Sequence, residues 1–587
     1  MGNRVTRRGF LAATGAAGVA LSAAPAVSAL EAAEPGERPD LVVHHGKIVT
    51  VDPDFRIAEA MAVAGERILA VGANDEILKL AQPGVQQIDL QGKTVLPGLI
   101  DSHMHPIDAA MYEFDHPVPD MESITDVLDY VRSRAAVLPA GAWIAVEQVF
   151  ITRLRERRFP TRQELDQAAP KHPVCFSTGP DASLNSLALS LSGIDRNFKV
   201  TDGQQGFIER DSAGEPTGIV RNGSRFIKIK SSRKTPGAQD RLDRVKSLLA
   251  AYNEVGITSV GDRSISFDAI PIYQDLLDRG QLTCRIFLSV ECDAHASLQA
   301  IEAKIQTLAS HPLHQYNNRL WLRGTKVYLD GGMLTGTAYM RKPWGVSKIY
   351  SITDPEYRGL LFIEPQRLYE VFRLSLANGL QTSAHSVGDG AVHAMLDAYE
   401  RIDREMPVRS LRPCISHSNF MSMEAIEKMQ ALGVVADLQP VWLYMDGATL
   451  LANFGAERLA WFQPYRTLFE HGVVVGGGSD HMQKMGRRRS INSYDPFLGM
   501  WTTLTRRPRW TGETLHAEQC LTRRQAIELY TINNARLTFE EKEKGSLEPG
   551  KLADFIVLDK DILTCPVDDV KDLKVERTYL GGKCVFP

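Results

Sequence analysis

The sequence predicts an α/β fold: a (β/α)8 barrel of the TIM type, a small β-sandwich domain formed from both chain ends, and a large insertion after the first barrel strand. Three observations predict it. Eight apolar, strand-like runs recur between residues 94 and 480, with amphipathic helical stretches between them. Short alternating runs, punctuated by Gly and Asp, fill residues 41–93 and return after residue 545. Residues 107 to about 240 fit neither rhythm and read as the insertion. At 587 residues the chain exceeds one ordinary domain and has room for a barrel with an accessory domain.

The first 29 residues stand apart. A basic start, an Ala/Gly-rich apolar stretch and the small-residue steps Ala24-Pro25-Ala26 and Val27-Ser28-Ala29 read as a cleavable export signal. Thr6-Arg7-Arg8-Gly9-Phe10-Leu11 resembles a twin-arginine signal, so the expected partner is the twin-arginine export machinery and the expected location periplasmic or secreted. Residues 9–30 could just span a bilayer, but their Ala and Gly content is weakly hydrophobic. Cleavage, with no stable membrane association, is the expectation. A formal net charge of -4, with no basic run, gives no support to nucleic-acid binding. Seven scattered cysteines without a CxxC pair read as buried free thiols rather than a disulfide framework.

The end segments, 41–93 and 545–587, are each too small to fold alone and are expected to pair into one β domain. The barrel is expected over 94–544. Its strands read as "VLPGLIDSH", "GITSVGD" (256–262), "CRIFLSV" (284–290), "LRGTKVYLDG" (322–331), "GLQTSAHS" (379–386), "PCISHS" (413–418), "GVVADLQP" (433–440) and "GVVVGGGSD" (472–480). Helical stretches such as "PQRLYEVFRLSLANG" and "MEAIEKMQALG" lie between them. In such barrels the chemistry sits at the C-terminal ends of the strands. Those ends carry His103 and His105, two apart and so on one face of a strand, then Lys326, His385, His417 and Asp480.

Each residue has a bland alternative. His385 and His417 could be satisfied core histidines, Asp480 a helix cap, and Lys326 a buried lysine paired with Asp330. One polar residue at strand end after strand end is what makes the set a candidate metal centre. Four imidazoles and a carboxylate suit a borderline divalent ion, zinc above all, with one or two ions per chain. Such an ion brings the pKa of a bound water from 15.7 to about 7. Asp480 is then the expected acid/base, taking a proton from the nucleophile and returning it to the leaving group. Carboxylation of Lys326 would turn a cation into a carbamate able to bridge two ions.

With these residues in view, the chain resembles the amidohydrolase superfamily, in its YtcJ-like branch, whose members include N-substituted formamide deformylases. The pieces that carry the resemblance are "PGLIDSHMHP", "LDQAAPKHPV", "NSLALSLSGI", "GTKVYLDGGMLTGTA", "AHSVGDGAVHAMLDAYE", "GGGSD", "YDPFLGMWTTLTRR" and "GSLEPGKLADFIVLD". The resemblance implies metal ligation by His103, His105, His385 and His417, a bridging carboxylated Lys326, and Asp480 as ligand and acid/base. It also implies a place near the site for Asp389, supporting His385 or touching substrate. Three departures fall on the expected substrate-facing positions: Pro180 where relatives carry His, Ser416 for Glu, and Asn222 in "GIVRNG".

The expected function is metal-dependent hydrolysis of a C–N bond (amide, formamide, carbamate or cyclic amide) in a small organic substrate, by hydroxide generated at the metal with Asp480 as acid/base. The alternative within the class is an esterase or lactonase. Outside it stand a lyase or isomerase on the same scaffold and a barrel that only binds. A degenerate binding protein should have lost some of the histidines or Asp480, and none is missing. His481 either adds a polar group to the pocket or lies at the surface. Tyr339, Trp344, Trp442 and Trp501 hint at a substrate with a hydrophobic part, against the reading that they simply pack. The insertion is expected to cover the pocket.

Overall fold

A computed structural model describes residues 38–587 except Gln148, Gly179, Pro180, Gln205 and Ser351. The export-signal segment and Pro180 lie outside the described residues. No helix among those described is long and apolar enough to cross a membrane.

Eight parallel strands form the central sheet: β1 (Leu99–Met104), β2 (Ile257–Ile265), β3 (Arg285–Glu291), β4 (Leu320–Tyr328), β5 (Gln381–Ser386), β6 (Cys414–His417), β7 (Val435–Leu438) and β8 (Val475–Gly477). Each neighbours the next in chain order. They correspond one for one to the eight runs read from the sequence. Between β8 and β1 the sheet is closed by single bonds. Asp480 donates its backbone N–H to His103 O at 2.7 Å, and His105 donates to His481 O at 2.8 Å. The Asn534 amide bridges the same seam, donating to Ile100 O at 2.5 Å and Gly477 O at 2.8 Å. Gly478 permits this approach, since a Cβ there would lie 2.8 Å from His103 N.

Outward-facing Val260, Leu288, Leu322, Ala384, Ile415 and Ala436 share one core with the helix residues Leu248, Tyr273, Ile305, Phe372, Val392 and Ile426. Each large side chain so buried is worth about 1.5–3 kcal/mol, and this burial is what holds the strand ends in place. The helix after β6, Met423–Leu432, shows how its length is set. Ser422 Oγ accepts from Ala425 N at 3.2 Å to start it, and Gly433, at φ +69°, ends it.

The two chain ends interleave. A six-stranded sheet runs Lys583–Phe586, Val575–Leu580, Phe555–Leu558, Thr94–Pro97, Lys47–Val49, Ile57–Ala58, and shares a core with a four-stranded sheet of Arg67–Gly72, Ala60–Ala64, Leu41–His44 and Gln86–Asp89. Thr94–Pro97 thus belongs to this sheet, pairing with Phe555–Leu558, and the barrel begins at Leu99. Buried Arg285 of β3 ties barrel to β domain through a two-pronged ion pair with Asp554, at 2.7 and 2.8 Å.

The insertion holds a five-stranded sheet, including Ile144–Glu147, Val174–Ser177 and Ala182–Leu184, flanked by helices Ile124–Val137 and Arg162–Ala168. Its apolar core is continuous with Met333, Leu334 and Val387 on loops, and with Trp442 and Leu443 in the first turn of the helix after β7, all following the C-terminal ends of barrel strands. The insertion therefore packs over the rim that carries the candidate site.

Candidate metal centre

Parallel register brings the strand ends to one level. Lys326 stands opposite Glu291 and Ser383, His385 opposite Tyr328 and Ser416, and His417 opposite Ser386. All six residues singled out from the sequence line one cavity of about 410 Å3. His105 Nε2 lies 3.1 Å from Asp480 Oδ1 and His103 Nε2 3.5 Å from the same oxygen. The Lys326 amine is 3.5 Å from His103 Nε2. Ring centroids of His103 and His417 are 4.9 Å apart, and those of His385 and His417 4.5 Å. His417, Ser418 and Asp480 have positive φ (+77°, +41° and +56°), a strained backbone for L residues that tends to gather at functional sites.

The far sides of these groups are held as firmly as the near sides. His103 Nδ1 meets Asp437 Oδ2 at 2.7 Å, while Ser102 Oγ donates to the other oxygen at 2.6 Å. Buried Arg263 supplies positive charge 3.9 Å from Asp437. His417 Nδ1 meets Gln439 Oε1 at 2.7 Å, and its ring stacks on Trp442. The Asn492 amide donates to Asp480 Oδ2 at 3.2 Å. With Nδ1 as donor to these acceptors, Nε2 of His103 and of His417 carries a free lone pair, the tautomer a metal ligand needs.

Burial decides the charge states. It pushes His385 down to about 3, with the Lys326 charge adding to the effect, and takes His103 and His417 well below the usual imidazole range. His105 goes the other way: burial opposes its charge, but the hydrogen bond and charge of Asp480 prevail and raise it. Lys326 is brought down to about 8 by burial. Three neutral imidazoles beside an Asp480 carboxylate form a donor set suited to a divalent cation. His103, His105 and Asp480 bring their ligand atoms within 4.8 Å of one another. The residues present fit a divalent ion of the zinc type.

Several sequence expectations are corrected here. Lys326 makes no ion pair with Asp330, whose carboxylate accepts the backbone N–H groups of Val387, Gly388 and Tyr339 and so pins the loop after β4. His481 is neither a pocket nor a surface residue. It is fully buried, with Nδ1 on Tyr252 Oη at 2.7 Å and Nε2 on the carbonyls of Gln483 and Lys484. Asp389 takes the backbone N–H of Arg341 at 2.8 Å and is not among the cavity-lining residues. Asn222 likewise stands outside that lining and donates its backbone N–H to Asp181.

Of the four aromatics named, only Trp442 lines the cavity; Trp344 and Trp501 pack elsewhere and Tyr339 faces a different cleft. Phe150, Tyr328 and Phe362 are the further aromatic walls. Sequence reasoning also passed over Asp437, Gln439, Arg263 and Asn492. For Asp437 a signal existed, a carboxylate inside the apolar run "GVVADL". For Asn492, in a loop, there was none.

The comparisons with known proteins give the chain's family and fold. The chain is 28% identical over 558 residues to the N-substituted formamide deformylase of Arthrobacter pascens, spanning 92% of this chain and 97% of that protein. It is 25% identical to a Bacillus subtilis protein named as putative amidohydrolase YtcJ, over 92% and 98% of the two chains. An uncharacterized metal-dependent hydrolase from Pyrococcus horikoshii shares the fold with a TM-score of 0.65 at 22% identity, covering 90% of this chain and 99% of that one. The amidohydrolase family profile matches residues 86–586, and the chain belongs to that family.

Proposed function

We propose that this chain is a metal-dependent hydrolase that cleaves a C–N bond of a small organic amide, formamide, carbamate or cyclic amide, with Asp480 as acid/base. One observation carries the reading: at a single rim of a closed barrel, His103, His105, His385 and His417 meet Lys326 and Asp480 in one cavity. His103, His105, His385, His417 and Asp480 would hold the metal, with Lys326 between them. A bound divalent ion supplies Lewis acidity and a water acidic enough to attack near pH 7.

The rest is done by the chain. Asp480, an acceptor when ionised, takes the proton of the attacking water and delivers it to the departing nitrogen. Asp437 and Gln439 keep the imidazoles of His103 and His417 turned toward the cavity. Burial lowers the proton affinity of Lys326, and the neutral amine so favoured can add carbon dioxide and lose a proton to give a carbamate. That modification would replace a misplaced cation with an anion that could join the histidines and Asp480 in holding one or two divalent ions.

Cavity chemistry narrows the substrate. Its walls include Phe150, Leu334, Phe362, Trp442 and Met482, and among the described residues its lining holds no arginine and no lysine other than Lys326. Asp108 and Glu291 add negative charge. A neutral or cationic amide with an apolar substituent suits these walls; an N-acyl amino acid carboxylate does not. The Arg7-Arg8 signal supports export through the twin-arginine route, which N-terminal sequencing of protein from the periplasmic fraction tests.

The test of function is metal content per chain together with hydrolysis of matched N-formyl amines, N-acyl amines, carbamates and esters. Amide turnover that chelation abolishes and zinc restores is the expected result. Turnover of esters alone would move the assignment to the esterase, and metal-free protein with full activity would end it.

A further inference from the structure

Asn492 is fully buried in the loop after β8, and both ends of its side-chain amide are engaged. Its Oδ1 accepts two hydrogen bonds, from Arg153 Nη1 at 2.8 Å and Trp442 Nε1 at 3.1 Å. Neither donor can act as an acceptor, so the amide oxygen must face them and a flipped amide is excluded. The NH2 group is thereby forced toward Asp480, donating to its backbone O at 2.7 Å and to its carboxylate Oδ2 at 3.2 Å. With Oδ2 held, Oδ1 is the oxygen turned to His105 Nε2 and His103 Nε2.

The other end of this arrangement lies in the insertion. Arg153, also buried, forms a two-pronged ion pair with Asp446, its Nε at 2.9 Å from Oδ1 and its Nη2 at 2.8 Å from Oδ2. Thr152 donates to the same carboxylate at 2.7 Å. Trp442, the second donor to Asn492, is the ring on which His417 stacks. One amide therefore touches the insertion, the aromatic wall beside His417 and the acid/base carboxylate.

We propose that Asn492 is a positioning residue for Asp480: held in one orientation by Arg153 of the insertion and by Trp442, it fixes the plane of the Asp480 carboxylate so that Oδ1 faces the imidazoles. The proposal rests on the hydrolase reading only for its kinetic consequence. Its geometric content stands by itself.

The decisive variant is Asn492→Asp. It is isosteric, keeps an acceptor for Trp442 and Arg153, and strengthens the Arg153 contact by adding charge. Only the donor to Asp480 is lost, replaced by a second carboxylate. The new carboxylate also repels Asp480 and raises its proton affinity, so the loss is read from the pH profile: a shift of the acid limb alone marks charge and overturns the proposal, while a lower kcat at the plateau marks lost orientation. The expected result is a kcat per bound metal lower by about 10–100-fold, the range usual for groups that orient ligands, with KM within about twofold. Protection of residues 150–154 from hydrogen exchange should stay at the wild-type level, since the Arg153 contact is kept. Trp442→Phe, which removes one donor to Oδ1 but keeps the stack on His417, should lower kcat by a few-fold.

Unchanged kcat per metal in Asn492→Asp overturns the proposal, as does a loss confined to metal content. Crystal structures of wild type and Asn492→Asp give a readout free of activity: a rotated Asp480 carboxylate supports the proposal and an unmoved one overturns it. That arm holds even if the wild type hydrolyses nothing on the panel, so failure of the hydrolase reading and failure of the positioning role are told apart.

Discussion

Among the described residues, two groups of histidines with an aspartate lie at ligand distance, and they are not alike. One is His103, His105 and Asp480 at the barrel rim; the other is His44, His45 and Asp89 in the β domain. By spacing alone the β-domain group is as good, with His44 Nδ1 and His45 Nδ1 3.0 Å apart and Asp89 3.4 Å from His45. The side chains of His45 and Asp89, however, are each 51% exposed, whereas those of His103 and Asp480 are 0% and 6% exposed. Behind His103 stands Asp437, behind His417 Gln439, and behind Asp480 Asn492. At the β-domain group the two ring nitrogens face each other and Asp89 Oδ1 is spent on the backbone N–H of Gln91. The lesson is that proximity of ligand types is common, and orientation from behind is what distinguishes a built site.

The contrast breaks most easily at Asp480. Replacing it with Asn should lower kcat by at least about 10^2–10^4-fold, the range for a lost general acid/base, as read by steady-state kinetics on the best amide of the panel. If kcat holds, the rim group is no more catalytic than the surface one.

Next comes the junction that carries the β domain. Asp554→Ala strands the buried charge of Arg285, a loss of about 3–5 kcal/mol, measurable by denaturant unfolding at pH 7. The sign with pH follows from Asp554, whose burial works against ionisation but whose pKa the Arg285 charge nonetheless lowers. Its contribution is present above the unfolded carboxylate pKa of about 4 and is lost as pH falls through the lower folded value. Wild type and variant should converge in acid; a gap that persists there would assign the loss to packing instead.

A matched pair sharpens the contrast directly. Asp437→Asn removes the charge behind His103 and should weaken metal affinity or activity by about 10–100-fold. Asp89→Asn in the exposed group should change neither, as followed by competition with a chromogenic chelator. Equal effects would erase the distinction drawn between the two groups. The smallest effect is expected at His45→Ala, within about 0.5 kcal/mol in stability and with metal content unaltered.

Much of the architecture was legible because the barrel strands recur as largely apolar runs, five of them carrying the singled-out polar residues toward their ends, and parallel register aligns those ends. His103, His385 and His417 could be named for this reason. Asp437 was visible as a carboxylate in an apolar strand, yet its partner was not, because His103 lies 334 residues away in the chain. His481 was misjudged because a histidine beside Asp480 reads as polar, while its hydroxyl partner, Tyr252, comes from the helix before β2. The aromatics were misassigned for a similar cause: strand ends tell which residues are near a rim, and the helices and loops that follow decide which of them turn inward.

By itself the sequence determined the eight-strand rhythm, the ligand types at the strand ends and the family to which they belong. These are properties of local pattern, set by periodicity and by which side chains can bind a cation. Only the tertiary structure decided which nitrogen of each imidazole faces the cavity, which oxygen of Asp480 faces those imidazoles, and that the insertion reaches Asp480 through Arg153 and Asn492. The physical reason is that a hydrogen bond is short and directional. Its partners are chosen by the packing of segments hundreds of residues apart, and no local pattern carries that information.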